Sequence, residues 1–245
     1  MIEVSALRKR FGAIDAVRDV SFGADNGCVT ALLGPNGAGK TTTLRILSGL
    51  MAADGGAVRV DGLDVATDPV AARRRMGMLP DSRGLYPRLT AREHLEYFGR
   101  LHGLARHTLN RRCDELVTDL GLSDIAHRRV EGFSHGERTK VALARALIHE
   151  PRNIILDEPT NGLDIGSIRA VRAIVHRLRD EGRCLLFSSH VMQEVSALCD
   201  RIVVIAKGTV VIDGTPDAVR QRAGCDSLED AFVALTGTES VGRPA

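Results

Sequence analysis

The chain has 245 residues, 44% of them hydrophobic and 26% charged, enough to bury about three quarters of its unfolded surface and unlike the composition of a disordered or fibrous protein. Basic and acidic residues number 33 and 31, and the net charge of +2 leaves no electrostatic footprint for nucleic acid. No apolar run exceeds five residues, as at 202–206, far short of the ~20 residues of a membrane span, and the N-terminus has no apolar signal segment, so a cytosolic chain without a transmembrane segment of its own is expected.

Short strands are predicted at 2–7, 16–22, 28–33, 57–60 and 76–79, with Asn26-Gly27, Asp54-Gly55-Gly56 and Asp61-Gly62 as turn signals. One helix, from about 39 to 49, interrupts them. From Thr90 to about Glu150 the apolar period turns helical, through Leu95, Phe98, Leu101 and Leu104 and then Leu109, Leu116 and Leu120. Thr90 with Glu93 is a capping-box pattern that starts this block. Beyond Pro151 strand and helix alternate: strand 154–156, helix 165–180, strand 184–187, helix 191–199, strand 202–205. Such alternation implies a parallel sheet. The helical block, about 82–150, therefore reads as an insertion into an α/β core of about 1–81 and 151–215, followed by a helical tail, 216–245, that is loose from Gly237 onward. Five scattered cysteines with no C-x-x-C pair argue against a disulfide framework or a zinc site.

The segment Gly34-Pro35-Asn36-Gly37-Ala38-Gly39-Lys40-Thr41 fits G-x-x-x-x-G-K-[ST], follows an apolar strand and opens a helix. Glycines let backbone N–H groups wrap a phosphate, and the helix start adds partial positive charge. Lys40 would reach the β and γ phosphates, Thr41 would ligate Mg²⁺, and Thr42 completes the loop. Only four basic residues are lysines, and none follows an asparagine, which excludes a GTPase that reads guanine through Asn-Lys-x-Asp. Downstream, Ile154-Ile155-Leu156-Asp157-Glu158 is an apolar strand ending in two acids at the sheet edge beside that loop. Asp157 there can hold Mg²⁺, and Glu158 can orient and deprotonate the attacking water.

With these elements in place, the chain from about 2 to 214 resembles the ATP-binding subunit of an ATP-binding cassette (ABC) transporter. Phe133-Ser134-His135-Gly136-Glu137 stands where that family has Leu-Ser-Gly-Gly-Gln, Asn161-Gly162-Leu163-Asp164 resembles its D-loop, His190 its switch histidine and Phe11 its adenine-stacking aromatic. The resemblance implies an α/β phosphate-loop NTPase: a RecA-like parallel sheet with an N-terminal antiparallel β subdomain and an inserted helical subdomain. It further implies that Ser134, Gly136 and Asp164 serve nucleotide across a head-to-tail pair, that His190 contacts the γ phosphate, and that ATP and Mg²⁺ are the bound groups. Plainer roles stand beside these: Ser134 with Glu137 is also a capping box, Asp164 an N-cap, His190 a strand-end residue and Phe11 a core phenylalanine.

Two positions depart from the family pattern. Asp81 replaces the Q-loop glutamine after Met78-Leu79-Pro80, a carboxylate that can still ligate Mg²⁺. His135 takes the place of the first signature glycine and Glu137 that of glutamine. The stretches 83–93 and 228–237 resemble subunits of sodium and drug exporters, which implies a separate polytopic permease and a peripheral place on the inner membrane face. Gly84, Pro87, Tyr86 and two arginines make 81–89 read as a protruding docking loop rather than core. The alternative function is a soluble ATPase of the same family acting on a protein or nucleic-acid assembly without transport.

Overall fold

The computed structural model describes residues 1–189 and 191–237. In chain order it has β1 (Ile2–Phe11), β2 (Ile14–Ala24), β3 (Cys28–Leu33), α1 (Lys40–Leu47), β4 (Gly55–Val60), β5 (Leu63–Asp64), α2 (Pro69–Arg74) and β6 (Met76–Leu79). Three helices come next, α3 (Ala91–Leu101), α4 (Arg106–Asp119) and α5 (His135–Leu147). The chain then returns through β7 (Asn153–Asp157), α6 (Ile165–Asp180), β8 (Cys184–Ser188), α7 (Met192–Leu198), β9 (Arg201–Ala206) and β10 (Thr209–Gly214), and ends in α8 (Pro216–Ala223) and α9 (Leu228–Thr236).

Among the described residues a ten-stranded sheet runs in the order β5-β4-β1-β2-β10-β9-β3-β8-β7-β6. The strands β6, β7, β8, β3 and β9 are parallel neighbours, and β7 and β8 are buried along their whole length. Being covered on both faces, they carry continuous apolar runs, 154–156 and 184–187, rather than alternating residues, with polar residues only at their ends. At the other end β2, β1, β4 and β5 pair antiparallel. The two parts join where β10 meets β2 at a single parallel pair, Thr209 with Asp19, so the antiparallel strands are a curled extension of one sheet.

Helices divide between the faces. One core gathers Val29, Leu95, Leu116, Leu143, Ile154 and Phe187 beneath α3 to α7, and the other gathers Leu7, Leu32, Leu44, Val58 and Leu186 around α1 and the N-terminal strands. Helix α5 lies so close to β6 that a Cβ on Gly77 would meet the Ala146 carbonyl oxygen at 2.2 Å. The inserted helices are thus fastened to the sheet edge. Within the C-terminal segment, Leu228 and Ala231 of α9 belong to the larger core; of the part read as loose, 238–245 lie outside the described residues.

Three elements escape the sequence pattern, one of them the two-residue β5. Helix α2 starts at Pro69 with Asp68 accepting from Ala71 N–H, a cap-and-proline start that a six-residue helix leaves faint. Strand β10 returns from β9 through Lys207-Gly208, both at positive φ (50° and 76°), the backbone of a tight hairpin turn. Lysine there gives no warning of it.

Candidate nucleotide site

The strand order β3-β8-β7 brings the C-terminal ends of all three strands to one edge, and the site is built from the segments that leave those ends. After β3 the chain turns at Gly34, where a Cβ would lie 2.2 Å from the Ile205 carbonyl oxygen. Gly39 has φ +104°, and its Cβ would lie 2.4 Å from the Ala16 carbonyl oxygen on β2; only glycine fits both the conformation and the approach. It is also the N-cap of α1, and no side chain caps that helix. This helix start adjoins a cavity of about 780 Å³ lined by Asn36, Gly37, Ala38, Gly39, Lys40, Thr41 and Thr42. Gly34 and Pro35 form the turn beneath it.

Lys40 is buried, its Nζ donating to the carbonyl oxygens of Gly34 (2.6 Å) and Pro35 (3.2 Å). Burial draws its pKa below the usual lysine value, opposed by Glu158 and Asp157. Opposite stand the acids. Asp157 is buried at the end of β7, and its Oδ1 accepts from the Ser188 hydroxyl at 2.6 Å. The same oxygen of Ser188 accepts the Glu158 N–H at 3.1 Å. Glu158 holds φ +48°, a left-handed backbone that costs about 1 kcal/mol or more and persists where the surroundings impose it. Asp81 lines the same cavity, as do Phe11, Ile14, Asp15, Arg18, Asn161 and Lys207. Phe11 is 45% exposed and carries the Lys9 ammonium 5.6 Å from its ring centroid, so it is not a core phenylalanine.

A second group of the sequence candidates lies elsewhere. Ser134 caps α5, accepting from Glu137 N–H while Glu137 Oε2 accepts from Ser134 N–H at 2.7 Å. Asp164 caps α6, accepting from both Ser167 N–H and Ser167 Oγ, bonds that hold its carboxyl below the usual aspartate value. A Cβ on Gly136 would touch Ser167 Oγ at 3.1 Å and Asp164 Oδ2 at 3.7 Å. The two helix starts therefore abut, with Ser134 and Asp164 exposed, and none of Ser134, Gly136 and Asp164 lines the phosphate cavity. His190 lies outside the described residues.

Six residues of the stretch 81–89 are exposed, as a protruding loop would have them, but Arg83 is not. Arg83 is 8% exposed, because the open carbonyls at the ends of β6 and β7 give its guanidinium fixed acceptors. Nη1 donates to Pro80 O (2.8 Å) and Asp157 O (3.5 Å), Nη2 to Glu158 O (3.1 Å), and Nε to Thr139 Oγ1 (3.1 Å). Tyr86 does stand out, half exposed, over His94 and against Tyr97 and Phe98. Its N–H donates to His94 Nε2 at 2.8 Å, while His94 Nδ1 donates to Thr90 O at 2.9 Å. Sequence reasoning missed Arg83 and Ser188 as well as the cavity-lining Ile14, Asp15, Arg18 and Lys207. For Ser188 the signal was present, a polar end on an apolar strand between the two strands that carry the site.

Residues 17–161 match the family model described as ABC transporter. The chain is 43% identical over 238 residues to the ABC transporter ATP-binding protein NatA of Bacillus subtilis, covering 95% of this chain and 97% of that protein. It is 36% identical to the Nod factor export ATP-binding protein I of Ralstonia nicotianae, over 94% of this chain and 72% of that one. Among solved structures, an ATP-binding subunit of an ABC transporter superposes with TM-score 0.90 at 33% identity, covering 96% of this chain and 99% of the other. A bacterial ABC transporter cassette solved as a dimer superposes with TM-score 0.81 at 25% identity, covering 88% and 98%.

Proposed function

We infer, from the premise that this chain belongs to the ABC transporter family, that it is the ATP-hydrolysing subunit of an exporter and works as two copies closed head to tail over ATP. The observation that carries this is the division of the site. The phosphate loop and strand-end acids share one cavity, whereas Ser134 and Gly136 stand at a helix start outside it. One chain thus holds two half-sites facing different ways, and a second copy can supply the missing half to each. That a cassette this chain resembles was solved as a dimer supports a pair.

In the closed pair, the N–H groups at the start of α1 and the Lys40 ammonium bind the phosphates, Lys40 exchanging the Gly34 carbonyl for phosphate oxygen. Phe11 offers its exposed face to adenine. Thr41, Asp157 and Asp81 bring hydroxyl and carboxylate oxygens to one cavity, a donor set that suits Mg²⁺. Bound there, Mg²⁺ would neutralise charge on the phosphate oxygens. Glu158 takes a proton from water as the water oxygen bonds to the γ-phosphorus and the bond to the β–γ bridging oxygen breaks, leaving ADP and phosphate. The role of His190 at the γ phosphate rests on the family resemblance alone.

Export is supported by the relatives, one of which is named for Nod factor export, and by the likeness of 83–93 and 228–237 to exporter subunits. No helix of the described residues is long and apolar enough to cross a membrane. We place the subunit on the cytoplasmic face of the membrane, held by a separate permease. The core and the insertion at about 82–150 then act as two arms, joined where α5 meets β6.

Light scattering on the Glu158→Gln variant tests the pair. ATP should shift the mass from one chain to two and ADP should not; a chain that stays single with ATP, alone and with its permease, overturns the reading.

A further inference from the structure

A buried arginine is costly to desolvate unless its donors are satisfied. Arg83 is satisfied without an ion pair among the described residues: its partners are three carbonyl oxygens and one hydroxyl, drawn from the ends of β6 and β7 and from α5. Burial pulls its pKa down, and Asp81, Asp157 and Glu158 oppose that. Its own carbonyl oxygen is taken by Arg145 Nη2 of α5 at 2.9 Å, so α5 grips the residue from two sides.

These bonds close into a circuit. Arg83 joins Glu158 O to Thr139 Oγ1. The Thr139 hydroxyl donates to His135 O at 3.0 Å, and His135 Nε2 donates to Asn161 O at 2.8 Å. Asn161 N–H returns to Glu158 O at 3.4 Å. The first turn of α5, which begins within the signature residues, and the turn that carries Asp157 and Glu158 are thereby one hydrogen-bonded unit. Side chains that span it are those of Arg83, Thr139 and His135, and His135 stands where a glycine, with no such reach, was expected.

We propose that Arg83 is a positioning residue that holds the Asp157–Glu158 turn in its strained geometry and ties it to α5, so that each subunit's signature moves with that subunit's own hydrolytic turn. Resting on the head-to-tail pair proposed above, this has a consequence for two-site behaviour. The signature of one chain serves the nucleotide on the other, and a rigid tie within each chain makes the two sites respond together.

The test uses the full chain and three measurements: ATP binding, the steady-state rate against ATP concentration, and thermal unfolding. Arg83→Met should bind ATP within about twofold of wild type while kcat falls about ten- to a hundredfold, the scale of a misplaced reacting group. Thr139→Val, isosteric and remote from the cavity, should keep kcat within about threefold but bring the Hill coefficient for ATP from above unity to unity. An unchanged kcat in Arg83→Met overturns the proposal, as does parallel loss of ATP binding, kcat and thermal stability, which would mark Arg83 as a folding residue only. Should Arg83→Met fail to fold, Thr139→Val decides: a Hill coefficient equal to wild type, or a wild-type value already at unity, overturns it. A wild-type chain that hydrolyses ATP while these variants behave as it does leaves the ATPase assignment standing and removes only the tie. No hydrolysis by wild type, alone or with its permease, removes both.

Discussion

The Ser188 hydroxyl donates to Asp157 Oδ1 at 2.6 Å, and both side chains are buried. Ser188 thereby orients the carboxylate assigned to Mg²⁺ and, through its other contact, receives the N–H of the adjoining Glu158. Ser188→Ala leaves a buried acceptor and a backbone donor without this partner, so unfolding free energy should drop by about 1–3 kcal/mol. The ATPase rate should fall as well, because Asp157 and Glu158 lose their shared anchor. Denaturant unfolding beside the steady-state rate checks this, and a variant equal to wild type in both would show that the hydroxyl is idle.

Lys40→Ala removes the ammonium from the loop and a donor to its carbonyls. The expected result is an affinity for ATP weakened about 10- to 100-fold, the worth of one charge-assisted hydrogen bond to phosphate. Fluorescent-nucleotide titration reads it, and an unaltered ATPase rate would remove the site assignment.

Glu158→Gln keeps shape but loses the proposed base. ATP should still bind, and turnover should slow by about 10²–10⁴-fold. Turnover at the wild-type rate would move the role of base to another group.

Tyr86 is half exposed on a loop whose neighbouring Arg83 reaches the Asp157–Glu158 turn. Tyr86→Ala should leave ATP hydrolysis by the isolated subunit within about twofold while weakening assembly or transport with the permease. Equal loss of both activities would point to folding instead of docking.

The pH dependence of stability has a traceable source. His149 stacks on His102, with ring centroids 3.6 Å apart and 4° between planes, and its Nε2 donates to Met76 O at 2.9 Å. Burial, then the neighbouring His102, push its pKa down to about 4, against a weaker upward effect of that hydrogen bond. Between that value and the unfolded one, ~6.5, the unfolded chain holds a proton that the folded chain does not. Stability therefore rises with pH across this window, is complete above it, and is lost as pH falls through it. His149→Gln, which can still donate to Met76 O, should flatten the fall between about pH 6.5 and 4 by on the order of 2 kcal/mol. Melting curves at several pH values in both proteins measure it, and parallel pH profiles would exclude His149 as the source.

How much of this was legible in the sequence differs from element to element. The spans predicted at 28–33, 76–79 and 165–180 coincide with β3, β6 and α6, since strands buried on both faces and an amphipathic helix begun by Asp164 announce themselves locally. The phosphate loop was legible for the same reason: glycine spacing, lysine and flanking elements are contiguous in the chain. Arg83 was not, because its partners come from Pro80, Asp157, Glu158 and Thr139, and an arginine beside Gly84 and Pro87 looks solvated until those ends converge. Nor did the sequence say that His135 replaces glycine with a reaching side chain that finds Asn161.

The contact between Gly39 and β2 has a consequence for what the site measures. One side of the cavity, where the proposed function seats the purine, belongs to β1 and β2 through Phe11, Ile14 and Asp15, and the side proposed for the phosphates belongs to the loop after β3; at Gly39 these halves abut with no room for a methyl group. The hairpin turn at Gly208 braces the junction, donating its N–H to Ala38 O and accepting from Arg18 N–H. The span between the two grips is therefore set by the absence of one carbon atom, and the cavity works as a ruler as well as a charge trap. A side chain at 39 would lengthen that ruler, so a nucleoside triphosphate seated by its base would fall short of the helix that must hold its far end.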